Sequence, residues 1–132
     1  MSAFIDANIG IYVIENVPVF GPKAIARLAM LQAAGLTLFA SELVRMECLV
    51  GPLKNNDLRL QKLYDQFFAQ PVIHIVQVDR AICERAAAIR ATYGFKPLDT
   101  LHLAAAIENS CTIFLTNDVR LKRFTGITIE VL

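Results

Sequence analysis

The chain has 132 residues, of which 55% are apolar and only 19% charged, and its formal net charge at pH 7 is +1. This length predicts one domain that buries about two-thirds of the surface of its unfolded chain. A nearly neutral net charge excludes a strongly basic protein that binds nucleic acid tightly and non-specifically, but not an enzyme with a local basic rim. The mean hydropathy of +0.48 indicates buried parallel strands, an apolar surface that needs a partner, or both.

The cysteines and the apolar runs bear on where the protein works. Cys48, Cys83 and Cys111 lack the spacing of metal ligands and lie in apolar segments, which predicts free thiols that behave as small apolar side chains. No run approaches the ~18 apolar residues of a membrane span, and no signal peptide precedes the first motif. The sequence therefore predicts a cytoplasmic protein with reduced thiols and no membrane partner.

Short apolar segments alternate with helical patterns from one end of the chain to the other. The predicted strands are residues 2–5, 36–40, 72–78, 112–116 and 127–132. The predicted helices run from 6–8 to about 16, over 23–34, from 41 to 51–52, over 57–70, over 80–94, over about 98–109, and briefly near 119–124. This alternation predicts one three-layer α/β/α domain over residues 1–132, with a mostly parallel central sheet and right-handed crossovers.

Two acids stand directly after predicted strands. Asp6 ends the stretch "AFID" and Asp118 ends "FLTND". Each residue could serve only as the N-cap of the next helix, where a carboxylate accepts a backbone hydrogen bond. Ligands of open parallel sheets, however, bind beyond the carboxyl ends of the strands, where the strand order reverses. If the first and fourth strands are neighbours, both acids face one crevice.

A third acid lies on an apolar helical face. Leu43, Val44, Met46 and Val50 define the predicted inward stripe of the helix that begins near residue 41, and Glu47 shares this face by its spacing. An ionised carboxylate left unpaired there would be costly, so it needs a cation or a shifted pKa. This position makes Glu47 the most informative acid of the chain.

A fourth acid, Asp99, opens the helix that follows "KPL", where it could also act as a first-turn acid that favours the helix dipole. Four carboxylates at one end of the sheet would repel one another, and a divalent ion would relieve that repulsion. A ligand set made only of oxygen atoms favours Mg²⁺ or Mn²⁺ over zinc. The acids together therefore predict a Mg²⁺ or Mn²⁺ site.

The stretches "FIDANI", "ASELVRMECLVGP", "KPLDTLHLAAAI" and "FLTNDVRLKRF" resemble, in order and spacing, the four acidic motifs of PIN domains. The closer likeness is to the VapC-type toxins of bacterial and archaeal toxin–antitoxin pairs, and it covers essentially the whole chain. The resemblance implies a catalytic and metal-binding quartet, with Asp6 and Asp99 as the most direct ligands. The quartet falls on Asp6, Glu47, Asp99 and Asp118. The matching polar positions that flank it, which the resemblance makes candidate substrate contacts, are Asn8, Thr116 and Asn117.

The resemblance also implies an activity and partners. The expected activity is that of a metal-dependent endoribonuclease, the toxin of a type II toxin–antitoxin pair, which cuts single-stranded or looped RNA with metal-activated water. The expected partners are a small antitoxin, bound as an amphipathic helix or extended segment, and a second copy of the chain. We expect the dimer to form through the helices at 23–34 and 98–109. The predicted floor of the antitoxin groove comprises Leu43, Met46, Val50, Leu60, Leu63 and Phe67.

The residues around the quartet give weaker signals. Arg120, Lys122 and Arg123 form the densest basic cluster, which could contact a phosphate backbone or could simply be a solvated helix face. His102 follows Asp99 at helical spacing, and the sequence leaves its role open.

Other classes of protein fit the sequence less well or leave the activity open. A PIN module that only binds RNA or protein is the strongest alternative, since a fold does not imply an activity. A phosphohydrolase with a nucleophilic Asp after the first strand would carry a second acid where Asn8 stands, and usually a cap domain. A phospho-receiver domain would place its acceptor after the third strand, where Asp79 instead has the position of a helix cap.

Overall fold

The computed structural model describes residues 1–132 and contains one sheet of five parallel strands. The strands are β1 (Ser2–Ile5), β2 (Thr37–Ser41), β3 (Ile73–Val76), β4 (Ile113–Thr116) and β5 (Thr128–Val131). Their order across the sheet is β3-β2-β1-β4-β5. The chain thus builds outward from β1 to β3 and then returns to the other side of β1. The strand order therefore reverses between β1 and β4, where α/β proteins bind their ligands.

Six α-helices connect and cover the strands. They are α1 (Ala7–Glu15), α2 (Phe20–Ala33), α3 (Glu42–Lys54), α4 (Leu58–Phe68), α5 (Arg80–Tyr93) and α6 (Pro97–Glu108), and a short 3₁₀ helix spans Val119–Arg123. The predicted α/β class with a parallel central sheet is confirmed. No helix combines the length and the apolar character that a bilayer span requires.

Three strands end within two residues of a helix cap, and each cap is a side chain that the sequence supplies locally. Asp6 accepts the N–H of Ala7 at 2.8 Å, and Ser41 accepts that of Val44 at 3.2 Å. Asp118 accepts the N–H of Arg120 at 3.0 Å. These bonds satisfy backbone donors that have no partner inside a helix. Asp6 and Asp118 therefore do cap the helices that follow them, as the sequence allowed, and these bonds orient both acids at the carboxyl edge of the sheet.

The start of α2 differs from its prediction. The helix begins at Phe20 rather than at residue 23, so Gly21 and Pro22 lie in its first turn instead of in a loop. A proline is tolerated there because the first N–H groups of a helix have no helical acceptor. Gly21 is buried, and a Cβ on it would lie 2.9 Å from the backbone carbon of Asn16. The glycine is thus needed for the close approach of two helices.

The inward face of α3 also differs from its prediction. Val44 and Cys48 are buried, whereas Met46 and Val50 are 45% and 55% exposed. The prediction was wrong for these two residues because α3 is apolar over much of its circumference, so periodicity alone does not select the inward face. The helix also continues past the predicted end at 51–52 and runs to Lys54.

The packing of the chain changes two further expectations, one about helix α6 and one about the cysteines. Helix α6 buries Thr100 and the stretch 102–106, so its Ala-rich face packs inside the molecule and is not free for a second copy. Among the cysteines, Cys48 and Cys111 are buried as predicted, but Cys83 is exposed. Burial raises the pKa of each of the two buried thiols to about 12, which leaves them inert.

Candidate active site

Asp6 is the most deeply buried acid of the chain and lies where β1 ends. Its backbone N–H donates to the carbonyl of Leu115 in β4 at 3.0 Å, which extends the β1–β4 ladder by one residue. Its carboxylate accepts the hydroxyl of Thr116 at 2.7 Å as well as the N–H of Ala7. Burial raises the pKa of Asp6 despite these bonds and despite nearby His102. A carboxylate in this state is stabilised by an added cation.

Glu47 and His102 form a pair beside Asp6. His102, on α6, is only 1% exposed, and its Nε2 contacts Oε1 of Glu47 on α3. The other ring nitrogen, Nδ1, is buried without a hydrogen-bond partner. One potential ligand atom from each of Asp6, Glu47 and His102 lies within 4.8 Å of the others. The sequence left the role of His102 open, and the structure brings it into the acidic cluster.

Asp99 lies in the first turn of α6 but does not cap it, because the N-cap position belongs to Lys96. Burial raises the pKa of its carboxyl, and the negative charges of Asp6 and Asp118 raise it further. His102 and Arg120 act in the opposite direction but do not cancel these effects. Asp99 is thus a half-buried acid held close to other acids, which favours a cation nearby.

Asp118 differs from Asp99 because a cation already accompanies it. Arg120 donates to its two carboxylate oxygens from Nε and Nη2 at 2.9 and 2.6 Å. These bonds hold the pKa of Asp118 below its ordinary value, and Lys96 adds to the effect. The acid is therefore ionised and oriented even before any metal is considered.

Polar residues tie the strand ends together behind the acids. The buried Thr116 hydroxyl donates to Asp6, and it accepts the N–H of Asp118 at 3.0 Å and the side-chain amide of Asn8 at 3.4 Å. The side-chain oxygen Oδ1 of Asn8 in turn accepts the backbone N–H of Asn117 at 3.2 Å. Thr116, which the sequence analysis grouped with substrate contacts, is therefore a buried residue that orients an acid.

All four predicted acids line one open cavity of ≈ 370 Å³ beyond the carboxyl ends of β1 and β4. The same cavity is lined by Asn8, Lys96 and Arg120. Lys96 was missed by the sequence analysis, although it stands directly before the "PLD" motif and could have been read as part of it. Arg123 lies outside this cavity, and Lys122 lines none of the main cavities.

The donor set of the cavity fits a hard divalent cation. Four carboxylates supply the oxygen ligands that Mg²⁺ and Mn²⁺ prefer, and two of them have raised pKa values that a cation would lower again. The imidazole of His102 adds a nitrogen donor, which Mn²⁺ accepts more readily than Mg²⁺ does.

Comparisons with known proteins place the chain in a family. The model of the PIN domain family matches residues 3–127. No curated protein sequence gives a significant match. Several solved structures share the fold at low sequence identity. A VapBC2 complex from Rickettsia felis, bound to a DNA fragment from its promoter, aligns with a TM-score of 0.82 and 21% identity over 98% of each chain.

Two other solved structures are also similar. A toxin–antitoxin complex from Klebsiella pneumoniae aligns with a TM-score of 0.73 and 23% identity over 96% of each chain. The toxin VapC20 from Mycobacterium tuberculosis, described as cleaving the sarcin–ricin loop, aligns with a TM-score of 0.72 and 14% identity over 96% of this chain and 99% of that chain. At such identities these likenesses establish the fold alone. The match along residues 3–127 confirms the resemblance found in the sequence, and the chain belongs to the PIN domain family.

Proposed function

We propose that this protein is a metal-dependent endoribonuclease that cuts single-stranded or looped RNA and acts as the toxin of a type II toxin–antitoxin pair. The observation that carries the proposal is the convergence of Asp6, Glu47, Asp99 and Asp118 on one cavity where the strand order reverses. Family membership supports the nuclease class. Solved structures with the same fold are toxins or toxin–antitoxin complexes by their descriptions, and one is described as cleaving the sarcin–ricin loop.

The proposed roles follow from the contacts of each side chain. Asp6, Glu47, Asp99 and Asp118 would hold Mg²⁺ or Mn²⁺, which when bound would supply an activated water and neutralise charge on the attacked phosphate. Thr116 fixes the carboxylate of Asp6, and His102 fixes that of Glu47.

Substrate is positioned by residues at the rim of the cavity. Arg120 lines the cavity, and its Nη1, which makes no bond to Asp118, can donate to the RNA. Asn8 also lines the cavity, and its side-chain NH₂ has a second N–H beyond the one that it donates to Thr116. Asn117 supports Asn8 from behind, since its backbone N–H donates to the Asn8 side-chain oxygen at 3.2 Å and its own side-chain amide is held by the Tyr12 hydroxyl at 2.9 Å. Lys122 is left out of this proposal because it lines none of the main cavities. RNA in single strands or loops suits an open site, because its bases are accessible and its backbone can bend into the cavity.

Exposed apolar side chains support the two proposed protein partners. Met46, Val50 and Leu53 recur at helical spacing on one side of α3, and Leu58 at the start of α4 is 76% exposed. We propose this apolar α3 stripe as the antitoxin surface. Phe67, which the sequence analysis placed in the groove floor, is instead 7% exposed and belongs to the core.

The dimer surface is proposed on α2, since α6 is internal. Ile25 and Met30 on α2 are 47% and 62% exposed. Exposed apolar side chains on one helix can meet their own copies across a two-fold axis.

A cleavage assay tests the nuclease proposal directly. The purified chain should cut a single-stranded RNA in Mg²⁺ or Mn²⁺ and leave it intact in excess chelator. Asp99→Asn should reduce the rate by about a hundredfold or more, because a lost ligand removes several kcal/mol of transition-state stabilisation. Glu42→Gln, an acid that faces Arg45 outside the cavity, serves as the matched control and should cleave normally. Undiminished cleavage by Asp99→Asn, or full activity in chelator, contradicts the mechanism.

One observation favours a second candidate, a PIN module that binds RNA without cutting it. Two of the four acids already have a protein cation or imidazole beside them, Asp118 through Arg120 and Glu47 through His102. These contacts reduce the need for a metal ion. Under this second function the wild-type chain binds the same RNA with or without metal and never cleaves it.

A further inference from the structure

We infer that a second cavity, which shares a wall with the acidic one, binds a phosphate of the same RNA strand next to the phosphate that is cut. The inference rests on the proposed nuclease function and extends it, because it assigns a separate subsite and two basic residues, Lys96 and Arg123, that lie outside the quartet of acids. The ligand chemistry is a backbone phosphodiester of single-stranded RNA.

The second cavity has a volume of ≈ 360 Å³ and the opposite charge character from the first. Three of its lining residues are basic, and Asp99 is the single acid among them. The acidic cavity instead has four carboxylates and two basic side chains. The lining of the second cavity consists of Gly94, Phe95, Lys96, Asp99, Arg120, Leu121 and Arg123.

Two of the three cations are free to meet an external anion. Arg120 is occupied by Asp118, but neither Lys96 nor Arg123 belongs to any ion pair of the molecule. Uncompensated cations that line one concave surface attract an anion more strongly than cations scattered over a convex one. The cavity is therefore complementary to a phosphate.

Arg123 is held in position before any ligand arrives. Its guanidinium carbon lies 4.3 Å from the ring centroid of Phe95 and 5.8 Å from that of Tyr93. Its Nη2 donates to the backbone carbonyl of Tyr93 at 2.5 Å, and its other N–H groups make no hydrogen bond with the protein. A stacked guanidinium loses little further freedom when it binds, so its remaining donors are well prepared for a phosphate.

The shared wall explains why the anion should be a neighbouring phosphate of the substrate rather than an unrelated ligand. Lys96, Asp99 and Arg120 line both cavities, so the two are contiguous. A nucleic acid strand carries a phosphate at every nucleotide, and a strand whose cut phosphate lies over the carboxylates must place another one nearby. Contacts of this kind fix the register of the strand and carry no base preference.

The salt dependence of RNA binding tests the inference without relying on cleavage. Binding of a fluorescent single-stranded RNA to the full chain is measured in chelator over a range of salt concentrations. Lys96→Ala and Arg123→Ala should each weaken binding several-fold. Log affinity falls as log salt rises, and each variant should make this negative slope less steep by about 0.7, the value for one lost phosphate contact on a single strand. Lys122→Ala is the matched control, since it removes one positive charge from the 3₁₀ helix that also carries Arg123. Lys122 itself lines neither of the two cavities.

A DNA strand of the same sequence separates a contact to the phosphate from a contact to the ribose. It should show the same loss of slope in both variants, because phosphate contacts do not read the 2′-hydroxyl. Lys96 is exposed and makes no aromatic contact, so Lys96→Ala tests the phosphate contact even if Arg123→Ala impairs folding. Because Lys96 also lines the acidic cavity, the contact is assigned to the second cavity by Arg123→Gln, which removes the charge but keeps a polar side chain of similar length. Arg123→Gln should make the slope less steep, as Arg123→Ala does, and a wild-type slope in it overturns the inference. Slopes that match wild type in Lys96→Ala, or an equal loss in Lys122→Ala, overturn the inference.

The outcomes also distinguish this inference from the nuclease proposal. If wild type cleaves RNA in Mg²⁺ while Lys96→Ala and Arg123→Ala bind like wild type, the second cavity is not a phosphate subsite and the nuclease proposal stands. If wild type never cleaves but the two variants lose affinity and slope, the subsite stands without the nuclease. Loss of antitoxin binding in the two variants, with RNA binding unchanged, assigns the cavity to the protein partner and overturns the inference.

Discussion

Asp99 and Asp118 are two acids of one cavity whose surroundings act on them in opposite directions. The pKa of Asp99 is raised by burial and by Asp6 and Asp118, whereas hydrogen bonds from Arg120 lower the pKa of Asp118. Removing the charge of Asp99 therefore relieves repulsion, and removing that of Asp118 breaks a favourable contact.

We expect metal-free Asp99→Asn to melt above metal-free wild type and Asp118→Asn to melt below it. The rise for Asp99→Asn should correspond to about 1 kcal/mol or less, or about 4 °C in Tm for a domain of this size. Thermal unfolding followed by circular dichroism in chelator measures both shifts. A lower Tm for Asp99→Asn would show that the carboxylate is better compensated than its neighbours imply.

The same residues predict how the stability of the metal-free protein depends on pH. Asp6 and Asp99 have folded-state pKa values above the ordinary 3.8, so the folded state binds more protons than the unfolded state between 3.8 and those values. Stability from these two groups is therefore greatest at acid pH and is lost as the pH rises through their folded pKa values. Asp118 acts in the opposite direction, because its contribution is lost as the pH falls below 3.8 through its lowered pKa.

Urea unfolding at a series of pH values, in chelator and in Mg²⁺, measures this dependence. In chelator, the free energy of unfolding should fall as the pH rises through the raised pKa values of Asp6 and Asp99. Bound Mg²⁺ should weaken or reverse the trend, since it binds the deprotonated carboxylates. Identical pH profiles with and without Mg²⁺ would count against a metal site at these acids.

At the scale of the elements, the contact between α1 and α2 depends on a missing side chain. Gly21→Ala should destabilise the protein by about 1–3 kcal/mol, because the new Cβ would meet the Asn16 backbone at 2.9 Å in a packed region. Gly51→Ala on α3 is the matched control, since its Cβ would have nothing within 4 Å. There the gain in helix propensity is offset by the following Pro52, so the change should stay within about 0.5 kcal/mol.

Chemical denaturation of the two glycine variants gives the comparison. Equal effects of the two substitutions would contradict the prediction, because α2 would then move away from α1 at no cost in free energy although the region is closely packed. A loss confined to Gly21→Ala would support the structural finding that this glycine is part of a helix and not of a loop.

Helix α3 shows why an apolar element is difficult to orient from its sequence. Residues on several of its sides are apolar, so Met46 and Val50 looked as internal as Val44. The structure exposes the first two and buries the third together with Cys48, which donates to the carbonyl of Ala7 at 3.6 Å. Which side faces inward depends on where α1 and α6 lie, and the sequence of α3 does not contain that information.

At the scale of the whole molecule, the proposals assign two apolar surfaces to two partners. Ile25→Asp combined with Met30→Glu should turn a dimer into a monomer without preventing antitoxin binding. Val50→Asp should abolish antitoxin binding and leave the dimer intact. Both changes place a charge where an interface would desolvate it, which costs far more in the complex than in the free chain.

Light scattering at tens of micromolar, where even a modest interface holds, reports the oligomeric state. Co-purification with the product of any small reading frame found immediately upstream, co-expressed with each variant, reports antitoxin binding. Wild-type chain that is monomeric at this concentration would contradict the dimer. Loss of both interactions in one variant would mean that the two surfaces are a single surface.

The sequence by itself determined the features that depend on near neighbours in the chain. Strands followed by capping residues predicted the α/β class, and the order and spacing of the four acidic motifs indicated the family that the comparison then confirmed. Asp6 and Asp118 could be recognised because each follows an apolar strand within a residue or two. Such features can be predicted from the sequence because secondary-structure propensity and helix capping act within a turn of helix or a few residues of strand.

Only the tertiary structure decided which distant residues meet. Thr116 reaches Asp6 across 110 positions of sequence, and His102 reaches Glu47 across 55. The second cavity exists because Lys96, before α6, and Arg123, in the 3₁₀ helix, come to the same concave surface. Such contacts depend on strand order and helix packing, which arise from burying one core of distant side chains, so no local pattern in the chain records them.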